Sequence, residues 1–407
     1  MARLRQIPPT GGYPIFGRDL LRLFTPGNLA ADFREFLAVP YARVTCSGTA
    51  AFYLTLEAIK TLTAKHTIVI PSFICPLVGL AVARAGLTLA VSDMQMDGAL
   101  DYDYDALEQF CRSNADIAAI VVAHLGGMAA DLARIKTITE AHGILLIEDC
   151  AQALGAEYNG KKTGTFGDFA FFSFARGKGL TLYEGGVLTT RHAQHAALLD
   201  ATYERLVPRN WAMEISTLAG LFGYGVFYRP WLFWFIFDLT YLLWNRLGDE
   251  VRAAAEHNEL HFPLYRMSAL RQRLGHCFFH RVRPQISRQW DAAQTYFAAL
   301  KNCSKFRVIT ELPNSRATYP YVTLVLKNRT ERDKMLHRLR AQGLGAFIIY
   351  IRPLRGYDYM KPHLPPGDFP AAQHLADCTL TLTTSLYLTD ADREKIIRLL
   401  TEYDHAA

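Results

Sequence analysis

Short apolar runs alternating with helical stretches over residues 30–190, then a smaller mixed stretch towards the C-terminus, predict an α/β protein. The expected architecture is a large domain with a mainly parallel sheet, followed by a smaller α+β domain. A third observation says where the chemistry sits. Asp149 closes one of the apolar runs, and Lys178 follows 29 residues later in a glycine-bearing turn.

The bulk composition fits this reading. A chain of 407 residues can bury a large core and divide into two domains. Half of its residues are hydrophobic and a fifth are charged, which describes a folded chain and not a disordered one. The net charge of +6 suits anionic substrates or an acidic membrane surface, but falls short of a nucleic-acid signature. Seven cysteines without CxxC spacing argue for reduced thiols in a cytoplasmic setting, with neither a disulfide framework nor a metal site. Residues 1–10 carry no apolar run, so no signal peptide is expected.

Taken in order, residues 67–70, 87–91, 117–122 and 144–147 read as strands buried on both faces, with a helix at 130–142. Strands at 168–174 and 186–190 follow. Parallel sheets collect ligands at the carboxyl ends of their strands, and Asp149 and the loop of Lys178 both fall there. Residues 268 to about 300 read as a helical connector interrupted at Pro284. The sequence then predicts strands at 319–326, 346–351 and 378–384, with helices at 332–342 and 390–403. The expected domains are 1–285, carrying an apolar insert at about 211–247, and 286–407.

The residue types around Asp149 and Lys178 suit pyridoxal phosphate (PLP). That cofactor needs a lysine to bond its aldehyde carbon, and a carboxylate to keep its pyridine nitrogen protonated so that the ring accepts electrons. Gly177 and Gly179 flank Lys178, and Glu184-Gly185-Gly186 closes its loop, which lets backbone approach a bulky planar ligand. Upstream, Ser47-Gly48-Thr49-Ala50 opens a helix. Such a start offers N–H groups and hydroxyls to a phosphate, although alone it is also an ordinary helix cap. Gln152 is near enough to reach the cofactor's phenolic oxygen, although it equally fits a solvated helix position, and Ser173 can add a hydroxyl to the phosphate site.

This ordered set resembles the DegT/DnrJ/EryC1/StrS family of sugar aminotransferases, PLP enzymes of fold type I. Its carriers are Ser47 to Ala50, Pro71-Ser72-Phe73, Val91-Ser92-Asp93, His124-Leu125-Gly126-Gly127 with Ala130-Asp131, and Glu148 to Gln152. Gly160 to Asp168, Ser173 to Lys178, Glu184 to Gly186, Tyr265 to Ser268 and Gly367 to Ala372 continue the series. The resemblance covers nearly the whole chain except about 195–260. It implies Lys178 and Asp149 as catalytic residues, with Gly48, Thr49, Ala50, Cys75, Gln152 and Ser173 around the cofactor. It also implies a homodimer that moves an amino group from an amino acid, usually glutamate, to a nucleotide-linked ketosugar. Three positions depart from the family pattern: Cys75 replaces an aromatic that stacks on the ring, Leu264 an asparagine that reaches the neighbouring subunit's phosphate, and Ala175-Arg176 a His-Pro pair. Dehydrating members replace the lysine with histidine, so Lys178 speaks against a sugar dehydratase. A non-catalytic PLP-binding scaffold or regulator is the remaining alternative.

The insert holds two apolar runs, 218–228 and 231–244, parted by Arg229-Pro230. Each is shorter than the roughly 20 residues that span a bilayer. They read as an interfacial or re-entrant helical hairpin on the cytoplasmic membrane face, or as a helix pair buried in an enlarged dimer interface. The first of these suggests that the acceptor is lipid-linked.

Overall fold

The computed structural model of the chain describes residues 5–14, 16–254, 256 and 258–405; the expectation for the extreme N-terminus therefore falls partly, at residues 1–4, outside the described residues. Its main sheet has seven strands, in the spatial order Tyr41–Thr45, Gly186–Thr190, Phe169–Ser173, Leu145–Asp149, Ile117–Ala123, Thr67–Pro71 and Thr88–Ser92. The last five pair in parallel; Gly186–Thr190 runs antiparallel to both of its neighbours.

The strand Ile117–Ala123 is buried along its whole length, because helices cover both faces of the sheet there. Its register sets Ala123 beside Asp149, and Asp149 beside Phe171. The functional rim is thus fixed by pairing. Below that rim the aromatic rings of Phe172 and Phe174 lie 5.4 Å from that of Phe33, in a separate core layer.

The second unit is an antiparallel three-stranded sheet, Phe306–Val308, Tyr321–Leu326 and Thr379–Thr383, packed with the helices Arg329–Ala341, Pro370–Cys378 and Asp390–His405. Residues 346–351 do not form the expected strand. Only Phe347 bridges to Thr381, which frees the following residues to face the cavity at Lys178. The connector is two helices, Ala269–Phe279 and Val282–Leu300, which break at His280-Arg281 and not at Pro284. Pro284 sits in the first helical turn, where its missing N–H has no intrahelical partner to lose.

Two features tie the units together. Asp93 accepts N–H groups from Ala371 (3.0 Å) and Ala372 (3.2 Å), which joins two stretches that the sequence holds far apart. The N-terminal segment also stitches across the molecule: Gln6 N–H donates to Pro230 O, Ile7 N–H to Gly343 O and Gly11 N–H to Pro320 O.

Candidate active site

Glu148 and Asp149 are successive residues of one strand, so they point to opposite faces of the sheet. Glu148 is buried and saturated. It accepts N–H groups from Gly164 (2.7 Å), Phe166 (2.8 Å) and Gly167 (2.7 Å). Ala130 N–H donates to His124 Nδ1, so Nε2 carries the ring proton and donates to Glu148 at 3.1 Å. Asp149 has one side-chain hydrogen bond among the described residues, from Ala151 N–H at 2.9 Å. Burial raises its carboxyl above the usual range, opposed by that N–H group, by Lys178 and by His124.

Ser47 caps the helix Gly48–Leu62 by accepting the Ala50 N–H at 3.0 Å. The N–H groups of Gly48 and Thr49 have no partner within the helix, and they open at the strand ends. Gly48 is required by close approach: a Cβ there would lie 2.9 Å from Ser173 Cβ. The helix start and Ser173 therefore form one polar cradle. Leu264, half-buried, packs beside Cys46 and Ala50 at its edge.

Lys178 sits in a turn fixed by its own backbone: its N–H donates to Ala175 O, and Thr181 Oγ1 donates to its carbonyl at 2.6 Å. Its amine makes no hydrogen bond among the described residues. Burial lowers its basicity, and the Asp149 carboxylate and Cys75 pull the other way. Arg176 is exposed and stacks 5.2 Å from the Tyr183 ring centre.

Cys75 caps the helix Pro76–Arg84 and lies within electrostatic reach of Lys178 and Asp149; burial pushes its thiol to about 11. Gln152 is clamped. Its Oε1 accepts from Gly126 N–H (2.8 Å) and from the Tyr321 hydroxyl, and its Nε2 donates to Tyr350 Oη at 3.3 Å. The structure thus gathers Asp149, Lys178, Cys75, Gln152 and the Gly48–Ala50 cradle with Ser173 at one rim.

Three contributors were not foreseen from sequence. Tyr321 and Tyr350 reach in from the second unit, and no local pattern marks them. Glu256 follows the insert and faces the same cavity; burial raises it to about 7, against the Tyr357 hydroxyl, Ile351 N–H and Arg352. One carboxylate among several after an apolar stretch is the only signal it offers.

The insert is not a free hairpin. It forms helices Trp211–Phe227, Phe233–Ile236 and Asp238–Arg246, and the first docks on the Lys178 loop. Tyr224 Oη accepts Gly177 N–H at 3.3 Å, and Gly220 lies so close to Tyr183 that a Cβ would enter its ring. Glu214 and Arg271 form a buried ion pair at 2.7 Å, and Arg271 also donates to Glu184 O at 2.8 Å, holding the closing turn of the loop. The outward side leaves Trp211, Ile215, Phe222 and Val226 exposed. No helix among the described residues is long and apolar enough to cross a membrane.

This donor set fits PLP. Free helix-start N–H groups with the Thr49 and Ser173 hydroxyls suit a phosphate, the uncommitted Asp149 oxygen suits a protonated ring nitrogen, and the unpaired Lys178 amine suits the aldehyde carbon.

Comparison with known proteins agrees. The model of the DegT/DnrJ/EryC1/StrS aminotransferase family matches residues 26–203 and 254–401, and so skips the whole insert. The chain is 37% identical over 227 residues to the L-glutamine:2-deoxy-scyllo-inosose aminotransferase of Micromonospora echinospora, covering 54% of this chain and 53% of that enzyme. It therefore spans about half the length of that relative. With the UDP-N-acetyl-3-dehydro-alpha-D-glucosamine 3-aminotransferase of Acidithiobacillus ferrooxidans it shares 27% identity, over 92% of this chain and 86% of the other. A Streptococcus pneumoniae chain assigned as a sugar aminotransferase and solved in its PLP form has the same fold, with a TM-score of 0.73 at 18% identity, covering 98% of each chain.

Proposed function

The chain belongs to the DegT/DnrJ/EryC1/StrS aminotransferase family, whose cofactor is PLP, and from that premise we propose that it transfers an amino group from an amino acid to a ketosugar. The observation that carries this reading is the meeting of Lys178, Asp149 and the Gly48–Ala50 cradle at one rim. When bound, PLP supplies an electrophilic carbon that takes up the amino nitrogen and a ring that accepts electrons.

The residues then divide the work. Gly48, Thr49 and Ser173 bind the phosphate and set the cofactor's position. Asp149 holds a proton at the ring nitrogen, since a carboxylate beside a cation favours both charged forms. Lys178, its basicity lowered by burial, would serve as general base and acid, taking the proton from the donor's α-carbon and giving it back. Gln152, held by Tyr321 and Tyr350, would offer its amide to the cofactor's phenolic oxygen. Cys75 would pack against the ring with less area than an aromatic gives.

The acceptor is a nucleotide- or lipid-linked ketosugar of cell-envelope polysaccharide, glycolipid or secondary-metabolite synthesis. The donor is L-glutamate, with L-glutamine, named for the M. echinospora relative, as the second candidate. The reading extends to a cytoplasmic homodimer that meets the membrane face through residues 218–244; the exposed Phe222, Val226, Trp231 and Phe235 support that contact. The test is an absorbance scan of the PLP-loaded protein. A near-visible band that bleaches with L-glutamate or L-glutamine is the expected result. A stable band unaffected by any amino acid would sink the transaminase reading.

A further inference from the structure

We infer that the acceptor carries a long apolar chain, which lies along the insert side of the Lys178 cavity; the inference rests on the transaminase reading above and names its substrate class. One cavity of about 890 Å³ holds Lys178 and Tyr350 and continues along Phe233, Ile236, Phe237 and Tyr241 of the insert. A sugar needs hydrogen-bond partners for its hydroxyls, and buried without them each costs free energy. Phe233, Ile236 and Phe237 offer none, whereas a hydrocarbon chain laid on them gains with every methylene removed from water.

The opposite wall is cationic, with Arg329, Arg332 and Arg340 facing one Asp333, and its arginines already have partners. Arg332 pairs with Asp333 at 2.6 Å, and Arg340 sits 4.2 Å from the Tyr241 ring centre and 5.4 Å from that of Phe237. Arg340 thereby holds those two rings in place as part of the apolar floor. The outer side of the same segment exposes Trp231, Phe235, Leu242 and Leu243. Exposed apolar side chains grouped in this way mark a surface that meets a partner or a lipid phase. Ile236, itself exposed, belongs to the cavity wall, so the cavity borders this patch, the arrangement a chain-bearing substrate needs to leave a lipid surface with its head directed at Lys178.

The test uses the PLP-loaded enzyme, with farnesyl monophosphate and UDP as probes in titration calorimetry. Ile236→Arg and Ala254→Phe alter the cavity wall, whereas Leu243→Arg alters only the outer face. Farnesyl monophosphate should bind the wild type and lose about tenfold or more in affinity in both cavity variants, but not in Leu243→Arg. Equal binding by all variants, loss only in Leu243→Arg, or a cavity that takes UDP and not the prenyl chain would overturn the inference. Bleaching of the near-visible band by L-glutamate is followed in the same samples. Bleaching without prenyl binding overturns the inference alone; prenyl binding without bleaching by any donor overturns the functional reading and the acceptor claim with it.

Discussion

Glu148 and Asp149 are adjacent carboxylates on one strand, yet among the described residues one is satisfied by four donors and the other by one. The difference is the pleat, which turns Glu148 into the loop Gly164–Gly167 and Asp149 towards Lys178 and Cys75. A buried carboxylate with every lone pair engaged holds structure together. One with spare acceptor capacity beside a lysine is poised for a ligand, and its cost is carried by the rest of the fold.

The comparison can be broken from the Asp149 side first. Lys178→Ala should lower turnover by about 10⁴-fold without loss of thermal stability, because it removes the proton-transfer group and a costly buried amine. Asp149→Asn should cost about 10²–10³-fold in the donor half-reaction while denaturant unfolding stays near wild type. Glu148→Gln should show the reverse: an unfolding free energy lower by about 2–4 kcal/mol, with donor turnover per folded molecule nearly kept. Stable but inactive Glu148→Gln would mean that the two carboxylates do not divide the work in this way.

A smaller effect concerns pH. The Glu256 carboxyl is raised to about 7 in the folded chain, above its unfolded value near 4.3. The folded state then binds more protons than the unfolded state between these values, so stability falls as pH rises through that window and levels off above it. Glu256→Gln should remove a slope worth about 1–3 kcal/mol, read from unfolding at pH 5 and pH 8. The smallest expected change is Tyr224→Phe, which strips the hydroxyl from Gly177 N–H. About 1 kcal/mol of stability should be lost, with a faster exchange of the Gly177 amide.

Much of the rim could be read from sequence because its parts are local. A helix start at Ser47-Gly48-Thr49, a strand ending in Asp149 and a turn around Lys178 each sit within a few residues, and strand pairing brings them together. What escaped was long-range. Tyr321 and Tyr350 reach Gln152 across 169 and 198 residues of sequence, and hydropathy is blind to such contacts. The expected strand at 346–351 fails for a related reason: its apolar residues line a cavity wall and pair with almost nothing. The insert shows the same limit. Its apolar runs were plain, but Gly220, Tyr224 and Glu214, the residues that dock it on the Lys178 loop, carry no mark of that partner.

The central claim is that Lys178, and no other lysine, carries the cofactor. Borohydride reduction of the PLP-loaded protein, followed by proteolysis and mass spectrometry of the lysine peptides, tests it directly. The account predicts the reduced cofactor's mass on the peptide containing Lys178 and on no other. Its recovery on a different lysine, or on none while the near-visible band persists, would contradict the account.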